Sequence, residues 1–136
     1  MAMITAAIAN DGVLMKPYLV NRTLTSDLET ISTTDPEVYT TPMSEQTADY
    51  MTQMMIADVT DGTGYRAAID GVQVAGKTGT AEINADTLAH AWFAAFAPAD
   101  DPQIAIVVLL ENSTEGDGGT AAAPVAKAVI EALLNE

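Results

Sequence analysis

Gly71-Val72-Gln73-Val74-Ala75-Gly76-Lys77-Thr78-Gly79-Thr80 is the stretch on which the reading of the whole chain turns. It admits two incompatible backbones. Read from Gly71, it matches G-x-x-x-x-G-K-[ST], a loop whose amides and following helix N-terminus cradle phosphate in nucleotide-binding proteins. That geometry needs a buried strand before Gly71 and a helix opening at Thr78. The pattern offers neither: Val72, Gln73 and Val74 are strand material, Gly79 would fall in the first helical turn, and no apolar strand precedes Gly71. In its favour, Ile104 to Leu110 ending in Glu111 could stand as a metal-binding strand. Read from Lys77, the same residues form an extended strand. Gly79 then lacks a side chain where another backbone could lie alongside.

The surroundings favour the strand. Ala91-Trp92-Phe93-Ala94-Ala95-Phe96 is followed by Pro98, the turn Asp100-Asp101-Pro102, and the β-branched run Ile104 to Leu110. So short a connection predicts an antiparallel hairpin. Three strands are expected, Val72–Ala81, His90–Ala97 and Ile104–Asn112. A closing helix is expected from about Ala121 to Leu134, with Pro124 in its first turn and Val125, Val129, Ala132 and Leu133 as its buried face. Upstream, Ala48, Met51, Met55 and Val59 make an apolar stripe on a helix that starts at Pro42 and Ser44 and stops at Asp61-Gly62-Thr63-Gly64. Val13 to Thr41 reads as short peripheral strands. Met1, Ile4 and Ile8 mark a first helix ended by Asn10-Asp11-Gly12. No capping residue precedes that helix, as if the chain opened in mid-element. Helices, then three strands, then a helix predict an α+β layer built on an antiparallel sheet with flanking helices.

The 136 residues, with 49% hydrophobic and 18% charged, suit one domain with a real core and argue against disorder. A formal charge of −14 makes nucleic acid an improbable partner, because phosphate needs a cationic groove. Cys is absent, which excludes thiolate metal sites and cysteine nucleophiles. No apolar run reaches membrane-spanning length, so a soluble chain is expected. His90, the single histidine, lacks a catalytic partner in the pattern and reads as structural. Asp58-Val59-Thr60-Asp61-Gly62 and Glu111 to Asp117 have calcium-loop composition without its ligand spacing, and read as solvated turns. No cofactor or metal site is expected.

Val74-Ala75-Gly76-Lys77-Thr78-Gly79-Thr80-Ala81-Glu82, then His90-Ala91-Trp92-Phe93-Ala94-Ala95-Phe96-Ala97-Pro98, an apolar strand, a Gly-rich loop and an Ala-rich helix resemble the C-terminal part of a penicillin-binding protein transpeptidase domain. The opening Met1 to Gly12 and Met15-Lys16-Pro17-Tyr18 are also similar to that family, closest to its class B, actinobacterial type. The resemblance covers essentially all of residues 1–136. It implies part of the serine β-lactamase and transpeptidase fold, with Val72–Ala81 as the edge strand of the cleft. It implies that Lys77, Thr78, Gly79 and Thr80 bind the carboxylate of a peptidoglycan stem peptide or a β-lactam. It further implies that the Thr80 N–H is one oxyanion-hole donor.

Other motifs of that family are missing. Ser26, Ser32, Ser44 and Ser113 have no Lys three residues on and no Asn two on, and the four tyrosines lack an Asn at that offset. The chain is therefore expected to be one incomplete domain, without the S-x-x-K nucleophile and inactive alone. The N-terminal half of the domain is then an expected partner, with a homodimer or domain swap as another route to covering exposed edges. The parent protein is expected outside the cytoplasm, anchored in the membrane. Two alternatives stay open: a phosphate loop over Gly71–Thr78, and a non-catalytic binding module of the same fold. A β-lactamase origin is disfavoured by the Val13–Thr41 insertion.

Overall fold

The computed structural model describes residues 1–82 and 87–135. Helix α1 spans Ala2–Ala9 and lacks a side-chain cap at Met1. Its C-terminus closes as the glycine predicts: Gly12, at φ +86°, donates its N–H to the Ala7 carbonyl at 2.8 Å. Four short strands follow, β1 (Leu14–Met15), β2 (Arg22–Leu24), β3 (Thr30–Thr33) and β4 (Val38–Thr40). They pair antiparallel as β1–β4 and β2–β3, two small ribbons separate from the main sheet. Helix α2 (Glu45–Thr60) is capped by Ser44, whose Oγ accepts the Thr47 N–H at 3.2 Å, with Glu45 in the first turn facing the positive end of the dipole. Ala48, Met55 and Val59 are buried and Met51 is half-buried, the predicted stripe.

The main sheet has the order β5 (Ala75–Ala81), β6 (His90–Ala97), β7 (Ile104–Leu110), all antiparallel. Helix α3 (Ala123–Leu134) closes the fold, with Pro124 in its first turn. Strand alternation sends side chains to two cores. Ala91, Phe93, Ala95 and Val108 pack with Ala122, Ala126 and Ile130 of the α3 region. Ala75 and Phe96 pack on the other face with Ile8 of α1 and Met55 of α2. Phe93, Phe96 and Ile130 are the largest fully buried side chains.

Three expectations need correction. The first strand starts at Ala75, not Val72. Gly71 (φ +78°) turns the chain so that Val72 bridges back to Ile69. Extending the register Ala75↔Phe96 by two would set Gln73 against Pro98, which has no N–H, and the Gln73 carbonyl accepts from Ala99 instead at 2.8 Å. The last strand ends at Leu110, not Asn112. Asn112 takes φ +48°, and its N–H donates to His90 Nδ1 at 2.9 Å, giving the histidine a structural role.

The third correction concerns α3. Val125, Val129 and Leu133 are 43%, 38% and 49% exposed, while Ala122, Ala123, Ala126 and Ile130 are fully buried. The helix carries two apolar stripes, and the bulkier one is not the inner one. A wide π-type turn over Gly118–Ala122 leads into the helix and turns its alanines inward. Their small side chains leave room for Phe93 beneath.

Asp117 builds that turn. Its Oδ1 accepts the N–H groups of Gly119 and Thr120, each at 2.9 Å, and the Thr120 hydroxyl at 3.0 Å. The Thr120 amide and hydroxyl, joined by the Gly119 amide and the more distant charge of Arg66, hold the Asp117 carboxyl below its ordinary value against an opposing desolvation. A depressed folded-state value means that Asp117 stabilises above the unfolded-state pKa, and that this is lost as pH falls through the folded one. Asp117→Asn, which keeps the capping acceptor, should therefore be less stable than wild type at pH 7. The difference in Tm should shrink once pH drops below about 4, the ordinary aspartate value. A difference constant from pH 7 to pH 2 would contradict this.

Candidate active site

β5 is an edge strand: β6 occupies one side and no strand the other, among the described residues. Its outward groups follow from the ladder. Residues of an antiparallel pair alternate between exchanging both hydrogen bonds and exchanging none. The Thr78 N–H points away from β6, since it donates to Asp58 Oδ2 at 3.3 Å. Thr80, two residues on and paired across to Ala91, therefore turns its N–H and carbonyl to the same open side. Lys77 and Gly79 instead direct their backbone groups to Ala94 and Trp92.

The side chains gather around this edge. Lys77 Nζ donates to Asp58 Oδ1 at 3.1 Å and to Thr78 Oγ1 at 3.0 Å. Thr78 Oγ1 shares a 2.7 Å hydrogen bond with Thr63 Oγ1, and the Thr63 hydroxyl also lies 3.3 Å from Asp58 Oδ1. The Lys77 side chain is 59% exposed and that of Asp58 only 13%, so the cation leans on a largely buried carboxylate while still facing solvent. A groove of about 430 Å³ runs along Lys77, Thr78, Gly79 and Thr80 with Trp92 in its wall. It meets a second, methionine-lined groove of about 470 Å³ at Lys77.

Gly79 and Gly118 shape this floor by close approach. A Cβ on Gly79 would lie 3.3 Å from Trp92 Cβ, so the bare glycine leaves the indole open to the groove. On the opposite face, Gly118 presses against the same residue pair. A Cβ there would lie 2.2 Å from the Trp92 carbonyl oxygen and 2.7 and 2.8 Å from the Gly79 carbonyl oxygen and nitrogen. The turn that Asp117 caps is thus the seat on which the Lys77–Thr80 strand rests.

All four residues picked from sequence come together here. Lys77, Thr78, Gly79 and Thr80 lie within β5, so the phosphate-loop alternative for Gly71–Thr78 is overturned: a helix would have to open where the strand runs. Asp58 and Thr63 were missed, the first read as part of a solvated turn and the second as part of the stop of α2. Asp58 carried one signal: with Asp61 it places two carboxylates at the negative end of a helix dipole, which calls for a compensating cation elsewhere.

Comparison with known proteins agrees with this geometry. Residues 1–131 match the family model of the penicillin-binding protein transpeptidase domain. The peptidoglycan D,D-transpeptidase PbpA of Mycolicibacterium smegmatis is 47% identical over 99% of this chain, and PbpA of Mycobacterium tuberculosis 45% identical over 98%. The chain spans 28% of the length of each. Among solved structures, penicillin-binding protein A from M. tuberculosis as a ceftriaxone acyl-enzyme matches with a TM-score of 0.86 at 45% identity. The D,D-transpeptidase domain of a peptidoglycan glycosyltransferase from Eggerthella lenta matches with 0.88 at 36%. Each match covers 98% of this chain and 31% of the solved one. The α+β architecture is thus that of transpeptidase domains. The chain belongs to the penicillin-binding protein transpeptidase family.

Proposed function

We propose that this chain is the C-terminal portion of a peptidoglycan D,D-transpeptidase, supplying the strand that holds the donor peptide or a β-lactam. The observation that carries this reading is the open edge of β5, where Lys77 Nζ lies 3.0 Å from the Thr78 hydroxyl and the Thr80 N–H faces outward two residues beyond Thr78. A ligand laid along β5 would pair with Thr80, and its carboxylate would meet Lys77 with the hydroxyls of Thr78 and Thr80. Lys77 gives a local cation in a chain of charge −14, where the global field repels anions. The Thr80 N–H would then face the scissile carbonyl oxygen. As negative charge develops there, a fixed donor stabilises it by about 3–4 kcal/mol in comparable acyl transfers.

The acylating serine is assigned to a part of the domain outside these residues. Ser44 Oγ caps α2 and Ser32 Oγ pairs with Thr23 Oγ1 at 2.7 Å, so neither stands beside a base. The N-terminal half of the domain is the proposed partner; the outer edge of β7, which pairs with no strand among the described residues, and the outer α3 stripe support this, and a homodimer or domain swap would cover the same surfaces. A parent protein anchored in the membrane and working outside the cytoplasm belongs to the same reading. No helix among the described residues is long and apolar enough to cross a membrane.

The chain alone, incubated with excess fluorescent penicillin and run on a denaturing gel, should carry no covalent label. Stoichiometric labelling would show that one of its own hydroxyls is a nucleophile, and would contradict the assignment.

A further inference from the structure

We infer that Asp58 is a positioning residue for carboxylate recognition, and that it also fixes where along β5 a ligand backbone can pair. The inference rests on the carboxylate reading of the Lys77–Thr80 strand.

A carboxylate in the last turn of α2 sits at the negative end of the helix dipole, so it does not serve the helix. It is nonetheless held there, largely buried, by groups from two other segments. Oδ1 takes the Lys77 ammonium and lies within reach of the Thr63 hydroxyl, and Oδ2 takes the Thr78 N–H. The Asp58 carbonyl accepts the Gly64 N–H at 2.9 Å, and a Cβ on Gly64 would come within 2.8 Å of Oδ2. The Gly62-Thr63-Gly64 turn is wrapped around this side chain.

Two consequences follow. Lys77 is anchored beside Thr78 Oγ1 rather than free to swing, so its exposed face meets an incoming anion with little further ordering cost. The Thr78 N–H is already taken, so backbone pairing with a ligand is confined to Thr80 and the ligand's main chain must stop near Thr78. A chain that ends there in a carboxylate meets a cation and a hydroxyl. One that continues as an amide meets the Asp58 wall.

Both tasks need two acceptor oxygens. Asn has one oxygen and one NH₂ donor, so Asp58→Asn keeps the shape but can serve Lys77 or the Thr78 N–H, not both. The test uses the full 136-residue chain, N-acetyl-D-alanyl-D-alanine and its C-terminal amide, with affinities read from the fluorescence of Trp92, the single tryptophan. Wild type should prefer the free acid by about tenfold, the scale of one charge-assisted hydrogen bond. Asp58→Asn and Asp58→Ala should each cut that preference to about twofold or less. The Thr78 amide should also lose its protection from hydrogen exchange relative to Thr80. A preference that survives both substitutions, or a Thr78 amide that exchanges as fast as Thr80 in wild type, would overturn the inference while leaving the carboxylate reading standing. Equal affinity for acid and amide in wild type would overturn both.

Discussion

Lys77→Ala is expected to weaken binding of N-acetyl-D-alanyl-D-alanine by about 10- to 100-fold, with the fold intact. The range is that of a hydrogen bond to a charged partner, about 1.5–3 kcal/mol. Stability should change little, for three reasons. The Lys77 side chain is 59% exposed, so its pair with Asp58 is screened. Asp58 keeps the Thr78 N–H and the Thr63 hydroxyl as partners after the lysine is gone. Lys77 is exposed and belongs to neither core cluster. Titration followed by Trp92 fluorescence, with thermal unfolding in parallel, separates the two effects. Lost affinity together with a large fall in Tm would place Lys77 in the scaffold and not at the ligand.

Gly118→Ala should give the converse, a large structural effect from one methyl group. The three atoms its Cβ would meet, the Trp92 oxygen at 2.2 Å and the Gly79 oxygen and nitrogen at 2.7 and 2.8 Å, are all backbone. No rotamer change relieves them; β5 and β6 must shift or the Gly118–Ala122 turn must lift. Overpacking of this kind costs about 3 kcal/mol, or a fall in Tm of about 10 °C for a chain of this size. Gly79→Ala is the informative contrast. Its Cβ comes no nearer than 3.3 Å to Trp92 Cβ, so stability should hold while the added methyl narrows the groove and weakens ligand binding. Equal stability losses at the two glycines would mean that the turn is not the seat of the strand.

Much of this was legible from residue patterns because the decisive signals were local. Ser44 caps α2, Gly12 ends α1, and the alternation in His90–Ala97 places Phe93 and Phe96 on opposite faces of the sheet. Val-Gln-Val-Ala is poor loop material, so Lys77–Thr80 read as a strand, and the family resemblance implied its open edge; the ladder then begins only at Ala75. The misreadings share another cause. The burial of α3 depends on the turn before it, and periodicity cannot say which of two apolar stripes a turn will face inward. Asp58 and Thr63 matter only because α2 brings them against a strand 15 to 20 residues later in the chain. Two carboxylates at the negative end of the α2 dipole call for a cation, but nothing in a run of Asp, Gly and Thr says which strand supplies it.

The central claim is that β5 offers an open margin at Thr80, flanked by a fixed cation. Backbone amide spectra of the isotope-labelled chain, titrated with N-acetyl-D-alanyl-D-alanine, address it directly. The largest shifts should fall on Thr80 and its neighbours Thr78 and Gly79, with the Trp92 indole following. Shifts centred instead on Ile104–Leu110 or on the outer face of α3, with Thr80 unmoved, would contradict it.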